Sequence, residues 1–130
     1  MKSIFKLLLL LFIPFFSYAQ LILSDSLVNA YKNASNDSMR FALNRRLLSY
    51  YVNTNLDSAL KYAEIGVQIA QKNNMKLAEA VASSTLAWQL QNKGRYAESL
   101  KYYLSAFAIA ENPEIEKSNE WHVVENKPLS

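Results

Sequence analysis

The segments SALKYAEIGVQIAQ (58–71) and ESLKYYLSAFAIAE (98–111) lie forty residues apart and share one pattern. Leu60, Lys61, Tyr62, Ile69 and Ala70 recur as Leu100, Lys101, Tyr102, Ile109 and Ala110. Five identities in fourteen positions exceed the roughly one that average composition gives by chance. Similar residues fill other positions: Ala59 pairs with Ser99, Gly66 with Ala106 and Val67 with Phe107. Upstream, at the same offset, Phe41 and Ala42 fall on Val81 and Ala82, and Leu47, Leu48 and Tyr50 on Ala87, Trp88 and Leu90. The repeating unit is therefore two helices long.

Apolar residues at steps of three and four place the first pair of helices at about 38–52 and 57–72, and the second at about 76–93 and 96–111. Asp37 is a candidate cap for the first helix, and Asn55 or Asp57 for the second. Asn73-Asn74 separates the pairs, and Gly94 supplies a left-handed residue that ends a helix. A further short helix is expected at about 24–34, capped by Ser24 or Asp25. The last repeat helix carries Tyr96, Leu100, Tyr103, Phe107 and Ala110 on one face, with Tyr102 and Ile109 on a second. Two stripes fit a helix lying between two neighbours in a stack, whereas a lone surface helix needs one.

On these residues the chain resembles the tetratricopeptide repeat (TPR) proteins. The second unit carries their pattern in Leu86-Ala87, Leu90, Gly94-Arg95-Tyr96, Ser99, Tyr103 and Ala106, with Pro113 just past the usual proline position. The first unit departs from it: Arg46 stands where the second has Leu86, Leu56 where it has Tyr96, and Gly66 where Ala is usual. The forty-residue period also exceeds the roughly 34 of the common form. The resemblance spans residues 38–112 and implies an all-α solenoid of about two helical hairpins, 38–74 and 76–112, behind an N-terminal helix and linker (20–37). A polar tail, 113–130, follows. The long form resembles the exported TPR regions of bacterial sensor and regulator proteins, which precede a membrane helix and a histidine-kinase, cyclase or DNA-binding portion. The chain is read as a short scaffold or as a truncated sensory or dimerisation region of such a signalling protein.

The first twenty residues, MKSIFKLLLLLFIPFFSYAQ, read separately. Lys2 and Lys6 precede an unbroken apolar run from Leu7 to Phe16, and Ser17-Tyr18-Ala19 sets small residues before Gln20. That is the layout of a secretory signal peptide cut after Ala19. The run falls short of the roughly 20 residues that span a bilayer. The expected location is the periplasm; because Leu21-Ile22-Leu23 prolong the apolar character, the alternative is a membrane anchor over residues 4–23. Charge falls from +3 for the whole chain to +1 once Lys2 and Lys6 leave. Only Arg45-Arg46 are adjacent cations, and no aromatic ladder is interleaved with Lys or Arg, so nucleic acid is not an expected partner. There is no cysteine, hence no disulfide and no lipidated N-terminal cysteine. The rest is dominated by helix formers, with strand-like alternation only in WHVV near the end.

Catalytic chemistry finds few supports. The single histidine, His122, has no cysteine or paired carboxylate with which to hold a metal. Ser83-Ser84-Thr85 lie mid-helix with no histidine nearby, and small hydroxyls there satisfy themselves on the preceding turn. Glu64 and Glu79 are far apart, and Glu111, Glu114, Glu116 and Glu120 form a solvated acidic segment. Two glycines 28 residues apart make no phosphate loop. No enzyme and no cofactor are expected.

The resemblance implies that the first helix of each unit lines a concave face that takes a protein or peptide. By register that face comprises Asn44, Arg45, Leu48 and Tyr51, then Val81, Ser84, Trp88, Gln91 and Asn92. Trp88 is either an anchor for an extended peptide, with Gln91 and Asn92 bonding the peptide backbone, or a core residue between hairpins. Leu48 and Ser84 stand where the family's carboxylate clamp needs Lys and Asn, which argues against chaperone-type recognition. The tyrosines Tyr50, Tyr51, Tyr62, Tyr96, Tyr102 and Tyr103 read as core with hydroxyls at the edge. Stacked repeats usually need about three units. The 96–111 flank must therefore be covered by Trp121, Val123 and Val124 of the tail, by another copy, or by a partner.

Overall fold

A computed structural model describes residues 1–4, 6 and 22–117. Residues 5 and 7–19 of the proposed leader and the tail residues Trp121, His122, Val123 and Val124 lie outside the described residues. Helix α1 runs through 22–32, followed by α2 (Asp37–Tyr51), α3 (Leu56–Lys72), α4 (Lys76–Asn92), α5 (Tyr96–Ala110) and the single turn α6 (Pro113–Glu116). No strand occurs among the described residues. Each helix from α2 onward packs on the next, α2 on α3, α3 on α4 and α4 on α5. The fold is all-α, with helical hairpins stacked in sequence order.

Local chemistry sets the boundaries. Asn36, not Asp37, caps α2, its Oδ1 accepting from the Met39 amide at 2.8 Å; Asp37 is the first helical residue, where its charge suits the helix dipole. Asn55 caps α3 through the Ser58 amide at 2.9 Å. Ser24 and Asp25, expected as caps, lie inside α1 instead: the helix already includes residue 22, and Ser24 is buried within it. Two turns are built alike. Asn74 and Gly94 take left-handed backbone, at φ 54° and 75°. After each, the chain folds back so that the Met75 amide reaches Ala70 O and the Arg95 amide reaches Leu90 O, both at 2.9 Å. These bonds, with Asn74 N to Gln71 O and Gly94 N to Leu90's neighbour Gln91 O, satisfy carbonyls that a helix end leaves open.

The core joins α2, α3 and α4: Phe41 and Leu48, then Ala59, Ala63, Val67 and Ala70, then Ala78, Ala82, Leu86 and Leu90. Small residues set the spacing. Ser99, buried on α5, donates from Oγ to Ala87 O at 2.7 Å, so α5 and α4 touch at backbone distance. Tyr31 of α1 meets the Tyr62 ring edge-on at 6.4 Å, and Tyr51 stacks on Tyr62 at 5.5 Å. Burial, then Tyr51 and Tyr31, push the Tyr62 hydroxyl pKa upward. The tyrosines thus divide. Tyr51, Tyr62 and Tyr102 pack against the core, while Tyr96 and Tyr103 stand exposed. The expectation of a core role for those two is corrected: nothing among the described residues covers that flank of α5.

Candidate binding surface

Between α2 and α4 lies a cleft of about 260 Å³. Phe41 and Leu48 of α2, with Val52 just past its end, form one wall, Val81 and Thr85 of α4 the other, and Tyr62, Ala63 and Gly66 of α3 the floor. Arg45 and Ser49 also line it. Arg45 is exposed and is the one charged lining residue. The hydroxyls on α4 are turned inward: Ser84 Oγ and Thr85 Oγ1 both donate to Val81 O, at 2.9 and 2.8 Å. That leaves an apolar pocket with a cationic rim. It can take an aliphatic or aromatic side chain. Among the described residues no group of three or more His, Cys, Asp or Glu could hold a metal, and no helix is long and apolar enough to cross a membrane.

The residues expected on the concave face fall into three sets. Asn44, Arg45, Leu48 and Val81 meet in the cleft. Asn44 is a correction, because it is 1% exposed and offers a partner no free surface. Its Nδ2 donates to Tyr62 O at 2.7 Å, so the amide joins α2 to α3. Leu48 is buried as a wall. Tyr51 and Ser84 are half-buried and occupied by their own chain, Tyr51 by stacking on Tyr62 and Ser84 by its bond to Val81 O. Trp88, Gln91 and Asn92 are exposed. Trp88 is 45% exposed and lies outside the shared core. It follows Val81 and Thr85 on α4 at steps of four and three, one turn past the cleft.

Sequence reasoning missed Phe41, Ser49, Val52 and Thr85 as lining residues. Translating one helix face by forty residues finds equivalent positions, but a cleft between neighbouring helices is walled by the flanks that face each other. Thr85 was recoverable, being the counterpart of Arg45 at the repeat offset.

Residues 24–114 match the family model described as the SusR N-terminal TPR domain. No curated protein and no solved structure matches the chain. TPR domains are in general non-catalytic scaffolds for protein interaction. With the matched segment covering most of the described helices, the chain belongs to the family of SusR N-terminal TPR domains.

Proposed function

We propose that the protein is an exported, non-catalytic scaffold that captures an extended segment of a protein partner on the open side of α2 and α4. The observation that carries this reading is Trp88, a large aromatic residue left exposed one turn from an apolar cleft. Tryptophan is one of the residues enriched at the hot spots of protein interfaces. An apolar side chain of the partner enters between Phe41 and Val81, Trp88 stacks on the next residue, and Gln91 and Asn92 bond the partner's backbone. Arg45 at the rim favours an acidic neighbour. Export rests on the order of Lys2 and Lys6, the apolar run 7–16 and the small residues before Gln20. The encounter then takes place in the periplasm.

The test is selection from a random peptide library on the full chain, followed by titration of the selected peptides. Selected sequences should share one large apolar residue. Trp88→Ala and Val81→Arg should each weaken them tenfold or more while leaving the circular dichroism melt in place. Peptides that bind both variants as tightly as the wild type would overturn the reading.

A further inference from the structure

The polar groups beside the cleft are divided unevenly between its two walls. On the α4 wall they are satisfied within the chain, Ser84 Oγ and Thr85 Oγ1 both donating to Val81 O. On the α2 side Arg45, Arg46 and Ser49 are exposed, and none of the three is in a hydrogen bond or an ion pair among the described residues. Other cations of the repeats are held: Arg40 and Lys72 by Asp37, Lys76 by Glu79, Lys93 by Asp57 and Arg95 by Glu98. Arg45 and Arg46 are thus two guanidiniums side by side without a counter-charge.

They enclose a second hollow of about 300 Å³, lined by Ala42, Arg45, Arg46 and Ser49. Arg45 and Arg46 lie three and four residues past Ala42, and Ser49 four and three past them, so the four form a diamond on one helix face. Helical side chains lean toward the N-terminus, which carries the arginines and the serine over the small Ala42. Arg45 and Ser49 also line the apolar cleft, so the two hollows are continuous. The second unit has no counterpart. At the repeat offset these three positions become Thr85, Leu86 and Gln89; Thr85 is bonded to Val81 O, and Leu86 and Gln89 are buried.

We infer that this hollow seats a carboxylate side chain of the captured segment, so that the partner carries an aspartate or glutamate within two residues of its apolar anchor, a chemistry that rests on the capture reading above. The acid lies over Ala42. Arg45 and Arg46 donate to its two oxygens, as a planar guanidinium does to a carboxylate, and Ser49 Oγ donates beside them. Side chains two apart on an extended segment point the same way, about 7 Å from each other, a spacing suited to two hollows that share Arg45 and Ser49.

The experiment screens a displayed peptide library against the full chain, with the peptide C-termini fused so that only side chains supply carboxylates. Acidic residues should be enriched within two positions of the shared apolar residue. The leading peptide is then made with its acid and with the matching amide, and the exchange to the amide should weaken binding about tenfold. Arg45→Gln together with Arg46→Gln should weaken the acidic peptide to the affinity of the amide form, so that the variant binds both alike. Its circular dichroism melt should hold, because both side chains are exposed. Arg45→Lys with Arg46→Lys keeps the charge without the planar fork and should recover only part of the loss. Peptides that share an apolar residue and depend on Trp88 and Val81, yet ignore both the amide exchange and the arginine changes, overturn this inference and leave the capture standing. So does binding of phosphatidylglycerol vesicles that the arginine changes abolish while the two peptides remain equal. A library that yields no binder overturns both.

Discussion

The side-chain amide of Asn44 rests against the bare Cα of Gly66, with Nδ2 3.1 Å from where a Cβ on that glycine would stand. The same nitrogen donates to Tyr62 O, one turn earlier on α3. Gly66 is therefore the notch into which α2 sets a polar side chain, and it accounts for the first unit's departure from alanine at this place. A β-carbon at 66 would push on an amide that is buried and already bonded. Gly66→Ala gains about 1 kcal/mol of helix propensity, but overpacking costs about 1–3 kcal/mol. The expected outcome is a net loss of roughly 1 kcal/mol in urea unfolding. In an Asn44→Ala background the same change should instead stabilise, by about 0.5–1 kcal/mol. Additive effects in this double-mutant cycle would show that the notch is not what holds Asn44.

Leucines on α4 and α5 should respond in opposite ways to truncation. Leu86 is 2% exposed and sits in the cluster that binds α3 to α4. Leu86→Ala should cost about 2–5 kcal/mol. Leu100→Ala, on the open seam, should stay within about 0.5 kcal/mol when measured at dilution. Thermal melts of both variants at dilution separate core from surface. An equal loss for both at dilution would mean that α5 is covered within one chain.

Much of this fold was readable because the repeat is written in residue size. The forty-residue offset marks Ala59 with Ser99 and Gly66 with Ala106, positions where helices touch, and close contact tolerates only small side chains. Turn chemistry was equally plain at Gly94. The open flank of α5 was harder to read. Tyr96 and Tyr103 have the same spacing as buried residues, and periodicity reports that a face is apolar without reporting whether anything lies on it. Asn44 was misplaced for a related reason. The family register sets it on the open face, but a buried amide is tolerated where a backbone carbonyl and a missing Cβ receive it.

Acid should loosen the contact between the start of α2 and the end of α3. A hydrogen bond from Asn73 holds the Asp37 carboxyl below its ordinary pKa of 3.8; burial opposes it, and the charges of Lys72 and Arg40 add to the lowering. Lys72 Nζ stands 3.6 Å and Arg40 2.7 Å from the carboxylate. A carboxyl whose pKa is lower in the folded chain adds stability above its unfolded pKa, and that stability vanishes as pH falls through the folded value. Asp37→Asn should therefore be less stable than the wild type at neutral pH, and the two should converge as pH falls past 3.8 and through the lower folded value. Because the carboxylate is partly open to solvent, added salt should shrink the neutral-pH difference. Chemical denaturation across pH 2–7 checks both trends, and a gap that persists unchanged in acid would assign the effect to helix capping instead.

Gln89 should be the place where a single change stabilises the chain. It is wholly buried on α4, and neither Oε1 nor Nε2 has a hydrogen-bond partner among the described residues. An amide removed from water without a partner costs about 1–3 kcal/mol. Methionine has nearly the same length and shape and no group to desolvate. Gln89→Met should therefore raise stability by about 1–2 kcal/mol, read as a higher urea midpoint with an unchanged slope. Gln89→Ala makes the necessary contrast. It removes the amide but leaves a void, and should be close to neutral or destabilising. If both variants lose stability together, the Gln89 amide is bonded in solution and contributes to holding α4 in place.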